Sequence, residues 1–224
     1  MSQLIDLSHE ISDGLVTYPG IPAPVISDVL SREASRERYA PGTEFVIGRI
    51  EMAGNTGTYL DTPYHRYSDG YDLADLDLET VAGLPLALVP VTDQTEIRPE
   101  AVEGMAIQGL AVIFHTGWSR HFGTPAYATG HSHLVPATVE ALVAGGVRLV
   151  GIDSLNIDPT ADGTRPAHSG LLAAGIPIVE HLANLDALAA ALAASGADEA
   201  RFYAVPPRIR GFGTMPVRAF AVVG

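Results

Sequence analysis

The chain has 224 residues, of which 47% are hydrophobic, and it contains no cysteine. This length suits one sizeable core, and the lack of cysteine excludes a disulfide framework and thiolate chemistry. The formal net charge is −13, and all 13 basic residues are arginine, which excludes a lysine nucleophile or Schiff base. Because nucleic-acid binding needs cations that neutralise phosphates, this acidic chain predicts no nucleic-acid partner.

The first residues lack the basic stretch and long apolar run of a secretory signal. No segment approaches the roughly 20 apolar residues of a membrane span. A chain without cysteine also suits a reducing compartment. We therefore expect a cytoplasmic protein with no membrane partner. Repeats, low-complexity linkers and breaks in composition are absent from the sequence, so we expect residues 1–224 to form one domain.

Along the chain, short apolar runs punctuated by glycine and proline predict strands, and helical spacing appears in the second half. The predicted strands cover residues 4–7, 45–52, 84–91, 111–115, 149–152, 177–180, 202–205 and 217–223. The predicted helices cover residues 138–144 and 185–194, with Asn184 as a candidate cap of the second helix. Because strands outnumber helices, the pattern predicts a layered α/β domain with a mixed β-sheet core and flanking helices.

Residues 54–65 combine a carboxylate and an imidazole, Asp61 and His65, with glycine, threonine and proline. Gly57 can adopt backbone conformations closed to other residues, and Pro63 restricts the chain between the two functional groups. A carboxylate and an imidazole four residues apart on a rigid turn can ligate a metal together, or act as a general base and its orienting acid. An ordinary turn whose aspartate accepts backbone N–H groups is the alternative.

A second candidate segment contains His168 and Glu180. Glu180 ends an apolar run, where burial is expected, and a buried carboxylate needs a partner such as a metal ion or an arginine. The alternative is a solvated glutamate at the exit of a strand. Two histidines and two acids from distant segments thus predict a metal site or an acid–base site.

The order of these landmarks resembles the cyclase family that includes bacterial kynurenine formamidase and isatin hydrolase. The family signature reads His-x-Gly-Thr-His-x-Asp-x-Pro-x-His, and residues 55–65 read Asn-Thr-Gly-Thr-Tyr-Leu-Asp-Thr-Pro-Tyr-His. The other matching landmarks are Asp6-Leu7-Ser8, Tyr18-Pro19-Gly20, Asp69-Gly70, Thr116-Gly117-Trp118, Gly151–Ser154, Leu171-Leu172, Asn184-Leu185 and Pro216-Val217-Arg218. The resemblance covers essentially the whole chain, and the joint pattern is specific.

This resemblance implies a swivelling β/β/α fold, a small-molecule substrate and assembly into a homodimer or homotetramer. The implied function is hydrolysis of a carbon–nitrogen bond in a formamide or cyclic amide, or of a lactone. By position, the resemblance implies Asp61, His168 and Glu180 as metal ligands and His65 as the acid–base group.

Two positions depart from the family pattern, because Asn55 and Tyr59 replace the first two signature histidines. An amide oxygen is a weak zinc ligand and a neutral phenol is weaker still, so the usual first metal site is damaged. One divalent ion, zinc or manganese, can still be held by the three implied ligands with help from His65. Catalysis without metal would instead use the histidines and carboxylates, with Tyr59 or Asn55 donating to an oxyanion. Loss of activity is the third outcome, but both replacements are polar, which favours an altered site.

Three further residues are candidates for substrate binding. Trp118 and Phe122 can wall an aromatic pocket, or Trp118 can simply belong to the core. Arg66 can bind a substrate carboxylate, or it can pair with Asp69 or Asp72.

Two other classes of function stay open on the same fold. A metal-independent cyclase, dehydratase or isomerase would need only proton transfer, and a non-catalytic protein would only bind the small molecule. No residue of the sequence identifies the substrate. Metal content would separate the metal-dependent hydrolase from the other readings.

Overall fold

The computed structural model describes residues 2–195 and 200–224. Its strands are β1 (Gln3–Asp6), β2 (Val25–Leu30), β3 (Ile47–Glu51), β4 (Tyr59–Asp61), β5 (Ala82–Pro90), β6 (Glu96–Ile97), β7 (Ala111–His115), β8 (His133–Leu134), β9 (Leu149–Ile152), β10 (Ile178–Glu180), β11 (Ala200–Tyr203), β12 (Thr214–Pro216) and β13 (Phe220–Val223). Its α-helices are α1 (Arg32–Arg36), α2 (Pro136–Ala144), α3 (Pro166–Ala173) and α4 (Leu185–Ser195). None of these described helices combines the length and the apolar character needed to cross a bilayer.

Nine of the described strands form one mixed sheet in the order β1-β13-β11-β5-β7-β9-β10-β4-β12. The central strands β5, β7, β9 and β10 pair in parallel, whereas the strands on both flanks pair antiparallel. Parallel strands covered on both faces are built from continuous apolar runs. Strands β7 and β9 fit this rule, because both are buried along their whole length.

Alternate side chains of the central strands enter two hydrophobic cores on opposite faces of the sheet. Ile113 of β7 belongs to the same core as Leu188 of α4. Phe114, the next residue, belongs to the other core, together with Leu142 of α2 and Leu171 of α3. Helices therefore cover both faces of the sheet, and the predicted α/β fold class with a mixed sheet is confirmed.

Two predicted elements differ from the structure. The strand predicted at residues 45–52 is β3, which pairs with β2 in a separate two-stranded sheet whose residues are nearly all exposed. Its alternating pattern therefore does not reflect burial against the central sheet. Asn184, the predicted cap of α4, has a positive φ of 55°, and its side-chain amide donates to the Asp6 carbonyl. This bond ties the start of α4 to the end of β1.

Residues 54–65, expected to form a rigid turn, contain strand β4 at residues 59–61, with turns and bends on either side of it. Strand β4 lies between β10 and β12 and pairs antiparallel with both. A 3-10 turn at Pro63–His65 follows it and carries the imidazole of His65. Asp61 therefore lies at the buried end of β4, and His65 lies in the turn immediately after it.

Candidate active site

The registers of β10, β4 and β12 place functional groups from distant segments side by side. Tyr59 of β4 is opposite Glu180 of β10, and Asp61 is opposite Thr214 of β12. Tyr59 and Asp61 are two residues apart, so their side chains lie on the same face of the strand. Directly opposed side chains on neighbouring strands are close enough to interact. Strand register therefore assembles this part of the site.

Asp61 is fully buried and is linked to His65 through Thr214. The Thr214 hydroxyl donates to Asp61 Oδ1 at 2.5 Å, and its oxygen lies 2.6 Å from His65 Nδ1. Because the hydroxyl has one hydrogen and gives it to the carboxylate, it must accept from His65 Nδ1–H. The neutral imidazole of His65 then has its lone pair on Nε2. Thr214 thus fixes the tautomer of His65.

A second buried imidazole, His168, is held by Asp158. Asp158 accepts from His168 Nδ1 at 2.6 Å, and it also accepts from the backbone N–H groups of Ala167 and His168 in the first turn of α3. His168 Nε2 consequently faces the two other acids, 3.7 Å from Asp61 Oδ2 and 3.6 Å from Glu180 Oε2. Asp158 therefore both caps α3 and orients His168.

The protonation of His168 follows from these neighbours. Burial by itself would lower the pKa of the imidazole, but the Glu180 charge, the hydrogen bond to Asp158 and the nearby carboxylate of Asp61 outweigh it. The pKa of His168 is therefore held well above its usual range. In the absence of another cation, a protonated His168 compensates the surrounding carboxylates.

Tyr59 and Glu180 form a buried pair. The Tyr59 hydroxyl donates to Glu180 Oε2 at 2.5 Å, and the Ile157 backbone N–H donates to Oε1 at 2.5 Å. Burial raises the pKa of Tyr59 well above its usual range, and the charges of Glu180 and Asp61 raise it further. Tyr59 thus remains a protonated donor, and its proton is committed to Glu180. The Asn55 side chain acts in the opposite direction and lowers the pKa of this phenol, but it does not outweigh burial.

These groups surround one cavity of about 240 Å³. The residues that line it are Tyr18, Ile21, Asn55, Tyr59, His65, Arg66, Asn156, Arg165, His168 and Glu180. The two sequence segments singled out above therefore reach the same cavity. An imidazole that can exchange protons, amide donors and two guanidinium groups share this space, which suits acid–base chemistry on a polar small molecule.

Within the described part of the chain, one group of side chains has the spacing to hold a metal ion. The ligand atoms of Asp61, His65 and His168 all lie within 4.8 Å of one another. Glu180, expected as a ligand, lies beside His168 but has both carboxylate oxygens in hydrogen bonds. His65, expected to help, is instead a full member of this group.

The expected substrate-binding residues have different locations. Arg66 lines the cavity. Trp118 and Phe122 are not among the described residues lining it: the Trp118 indole N–H donates to the Tyr127 carbonyl at 3.0 Å, and the Phe122 ring stacks on His9 with centroids 3.6 Å apart. Tyr18 and Ile21, which follow the first strand in the chain, supply apolar surface to the cavity instead.

Sequence reasoning missed Thr214, Asp158 and Arg165. Thr214 lies 149 residues from His65, and only the strand register brings the two together. The preceding Gly213 permits this approach, because a Cβ there would lie 2.4 Å from the backbone nitrogen of His65. Asp158 lies ten residues from His168, a spacing with no recognisable periodicity. The glycine before Thr214 was the one local signal of a close backbone contact.

Comparison with known proteins agrees with this geometry. The cyclase family model, described as "Putative cyclase", matches residues 5–159. Kynurenine formamidase from Bacillus mycoides is 29% identical over 182 residues, which cover 81% of this chain and 82% of that protein. Kynurenine formamidase from Geobacillus thermodenitrificans is 28% identical over 184 residues, which cover 81% of this chain and 83% of that protein.

Solved structures have the same fold. Isatin hydrolase A from Labrenzia aggregata, bound to benzyl benzoate, has a TM-score of 0.79 and 21% identity, with 99% of this chain and 94% of that chain covered. A potential metal-dependent hydrolase with cyclase activity has a TM-score of 0.79 and 23% identity, with 100% of this chain and 99% of that chain covered. The resemblance inferred from the sequence motifs is confirmed, and the chain belongs to the cyclase family.

Proposed function

We propose that this protein is a hydrolase of small molecules that cleaves the carbon–nitrogen bond of a formamide or cyclic amide, or opens a lactone. The observation that carries the proposal is the Asp61–Thr214–His65 chain, which presents an imidazole lone pair to a cavity shared with His168. Family membership supports it, because similar proteins are named kynurenine formamidase and isatin hydrolase.

In this proposal, His65 Nε2 takes a proton from the attacking water and returns it to the leaving nitrogen or oxygen. Thr214 keeps the imidazole in the tautomer that this transfer needs. Asn55 supplies an amide N–H to the carbonyl oxygen as negative charge develops there. Tyr59 already donates its hydroxyl hydrogen to Glu180, so we assign it a positioning role instead of the oxyanion role that the sequence suggested.

The site also fits one divalent ion. Asp61 Oδ2 is buried and has no hydrogen-bond partner among the described residues, and His168 Nε2 faces it at 3.7 Å. A buried carboxylate oxygen without a hydrogen-bond donor is costly, and a cation would relieve this cost. We propose that zinc or manganese, where present, is held by Asp61, His65 and His168, with Glu180 outside the ligand set. When bound, such an ion would supply Lewis-acid polarisation of the carbonyl and activation of the attacking water.

A metal-independent cyclase, dehydratase or isomerase is the second candidate. The specific observation in its favour is that two imidazoles, His65 and His168, line the cavity with Glu180, so groups for proton transfer are present without an ion. Elemental analysis of protein purified without chelator, with turnover measured on formanilide, isatin and a simple lactone, tests both candidates. Hydrolysis of none of the three would contradict the hydrolase, and a metal-free protein active on them would exclude only the metal-dependent form.

We further propose that the chain acts as one domain and assembles into a homodimer or homotetramer. Residues from 3 to 223 contribute strands to the same sheet, which supports a single folding unit. The hairpin of β2 and β3 leaves several apolar residues about half to two-thirds exposed, namely Val25, Ile26, Val29, Ile47 and Ile50. A two-stranded hairpin is marginal alone, and an exposed apolar surface of this kind marks an interface. A second copy of the chain is the occupant we propose.

The remaining partners follow from composition. The net charge of −13 supports a protein that binds no nucleic acid, since phosphate backbones need cationic surfaces. The absence of cysteine supports a cytoplasmic location, where disulfides are rare.

A further inference from the structure

Two guanidinium groups stand in the wall of the candidate active-site cavity. Arg66 and Arg165 both line it, together with His65 and His168. In a chain with a net charge of −13, this concentration of positive charge around the proposed catalytic imidazoles runs against the overall composition. The presence of both arginines in the cavity wall therefore needs a local explanation.

Six of the other arginines form ion pairs with acidic neighbours. The pairs include Arg32 and Arg36 with Glu44, Arg49 with Glu51, Arg98 with Glu96, Arg210 with Asp72 and Asp75, and Arg218 with Asp6. Arg66 and Arg165 have no such ion pair with any carboxylate in residues 2–195 and 200–224. Asp72, one of the two partners considered for Arg66, is engaged by Arg210 and by the Gly211 backbone N–H.

Neither guanidinium is in a close ion pair among the described residues, although the pKa of the nearby Asp162 is lowered by hydrogen bonds and also by the charge of Arg165. The Arg66 guanidinium lies 5.1 Å from the centroid of the Tyr67 ring, a cation–π contact that positions the group but does not neutralise it. Arg165 Nη1 donates to the Pro159 carbonyl at 3.4 Å, which is a long hydrogen bond. Both groups therefore keep donors available for an anion in the cavity.

The backbone at Arg165 is strained. Its φ is 49° and its ψ is 62°, a left-handed conformation that is unfavourable for an arginine. The next residue is Pro166, and a following proline disfavours helical backbone further. Glycine or asparagine would adopt this conformation more easily. Backbone strain of this kind persists at functional sites, where the side chain is needed in that position.

We propose that the substrate carries a carboxylate, and that Arg66 and Arg165 bind it while the amide or ester bond reaches His65. A guanidinium presents paired N–H donors that match the two oxygens of a carboxylate. The substrate class is therefore an anionic N-acyl or cyclic amide compound, or its lactone counterpart. This inference rests on the proposed hydrolase function, which places the reacting bond beside His65.

Two matched compounds test the proposal. The probe 2-formamidobenzoate carries the carboxylate, and 2-formamidobenzamide is its neutral counterpart. We expect the wild-type protein to have a kcat/KM roughly tenfold or more higher for the carboxylate, through KM, as expected for hydrogen bonds to a charged group. Arg66→Met and Arg165→Met should each reduce this ratio severalfold. Arg148→Met, which removes an exposed arginine outside the cavity, should leave the ratio unchanged.

Arg165→Gly separates anchoring from a structural role. Glycine relieves the left-handed strain, so the melting temperature should stay level or rise while the preference for the carboxylate falls. If the preference for the carboxylate falls only in variants whose melting temperature also falls, Arg165 has a structural role and the proposal is overturned for that residue.

Binding of benzoate and benzamide, measured by calorimetry, distinguishes the failure of this inference from failure of the proposed function. In one outcome, wild-type protein hydrolyses neither formamide but binds benzoate more tightly than benzamide, and Arg66→Met or Arg165→Met removes the difference. The proposed carboxylate-binding site is then supported, and the hydrolase proposal fails for these compounds. If both formamides are hydrolysed with equal kcat/KM and benzoate binds no more tightly than benzamide, the carboxylate-binding site is overturned and the hydrolase proposal stands.

Discussion

Replacement of Thr214 by valine tests the link between Asp61 and His65. Valine has nearly the same shape as threonine but lacks the hydroxyl that donates to Asp61 Oδ1 and accepts from His65 Nδ1. In the variant, neither oxygen of the fully buried Asp61 carboxylate would keep a hydrogen-bond donor, since Oδ2 already has none among the described residues. His65 would lose the contact that selects its tautomer.

The size of the effect follows from these two bonds. A hydrogen bond to a charged group contributes about 1.5–3 kcal/mol, so Thr214→Val should lower the free energy of unfolding by about 2 kcal/mol. The same loss in the transition state corresponds to a roughly thirtyfold lower kcat/KM. Disorder of the His65 imidazole adds to this figure, because general acid–base catalysis contributes about a hundredfold or more.

Steady-state kinetics and urea unfolding measure the two effects separately. Thr214→Ser is the matched control, because serine keeps the hydroxyl and removes only a methyl group, so its kcat/KM should stay within a few-fold of wild type. A Thr214→Val protein whose kcat/KM is within twofold of wild type would refute the reasoning, since His65 would then need no partner at Nδ1.

Four other predictions follow from the same structure. His65→Ala should lower kcat about a hundredfold or more while circular dichroism shows an intact fold; near-native turnover would move the proton chemistry to another group. Asn55→His combined with Tyr59→His should raise retention of zinc or manganese in elemental analysis, because imidazole is the better ligand, whereas Asn55→Gln with Tyr59→Phe should not. Burial lowers the pKa of His9 to about 4. Between pH 6.5 and 4 the unfolded chain therefore binds a proton that the folded chain does not, so the free energy of unfolding falls as the pH falls. In urea titrations at pH 7.5 and pH 5, the His9→Phe protein should lose up to about 2 kcal/mol less of this free energy than wild type. Val29→Glu on the exposed hairpin should shift light-scattering mass from an oligomer towards the monomer, and a wild-type monomer at micromolar concentration would argue against the proposed assembly.

The sequence predicts the central sheet well because its strands are buried on both faces. The strands predicted at residues 111–115 and 149–152 coincide with β7 and β9, where continuous apolar runs have no competing interpretation. Strands β4 and β12 have three residues each, and threonine, aspartate and proline make up much of both. Their pairing depends on register across more than 150 residues, which no local pattern encodes.

The same limit applies to the site. Asp61, His65, His168 and Glu180 are recognisable because motifs in the chain contain them, and the structure brings all four within one neighbourhood. Thr214 contributes through a contact made at long range, and no periodicity of the chain marks it. The positive φ of Arg165 is likewise invisible in a Gly-Thr-Arg-Pro sequence, because proline after arginine would have favoured extended backbone.

The replacement of two signature histidines changes what His65 can do. Tyr59 cannot ligate while its proton is shared with Glu180, so an ion would depend on His65 as the third ligand beside Asp61 and His168. Thr214 occupies Nδ1, which leaves Nε2 as the sole lone pair of the imidazole. One lone pair cannot bind a cation and accept a proton at the same moment. The metal-bound and metal-free forms must therefore use His65 differently, and a His65→Ala protein that loses turnover but keeps its metal content would identify proton transfer as its role.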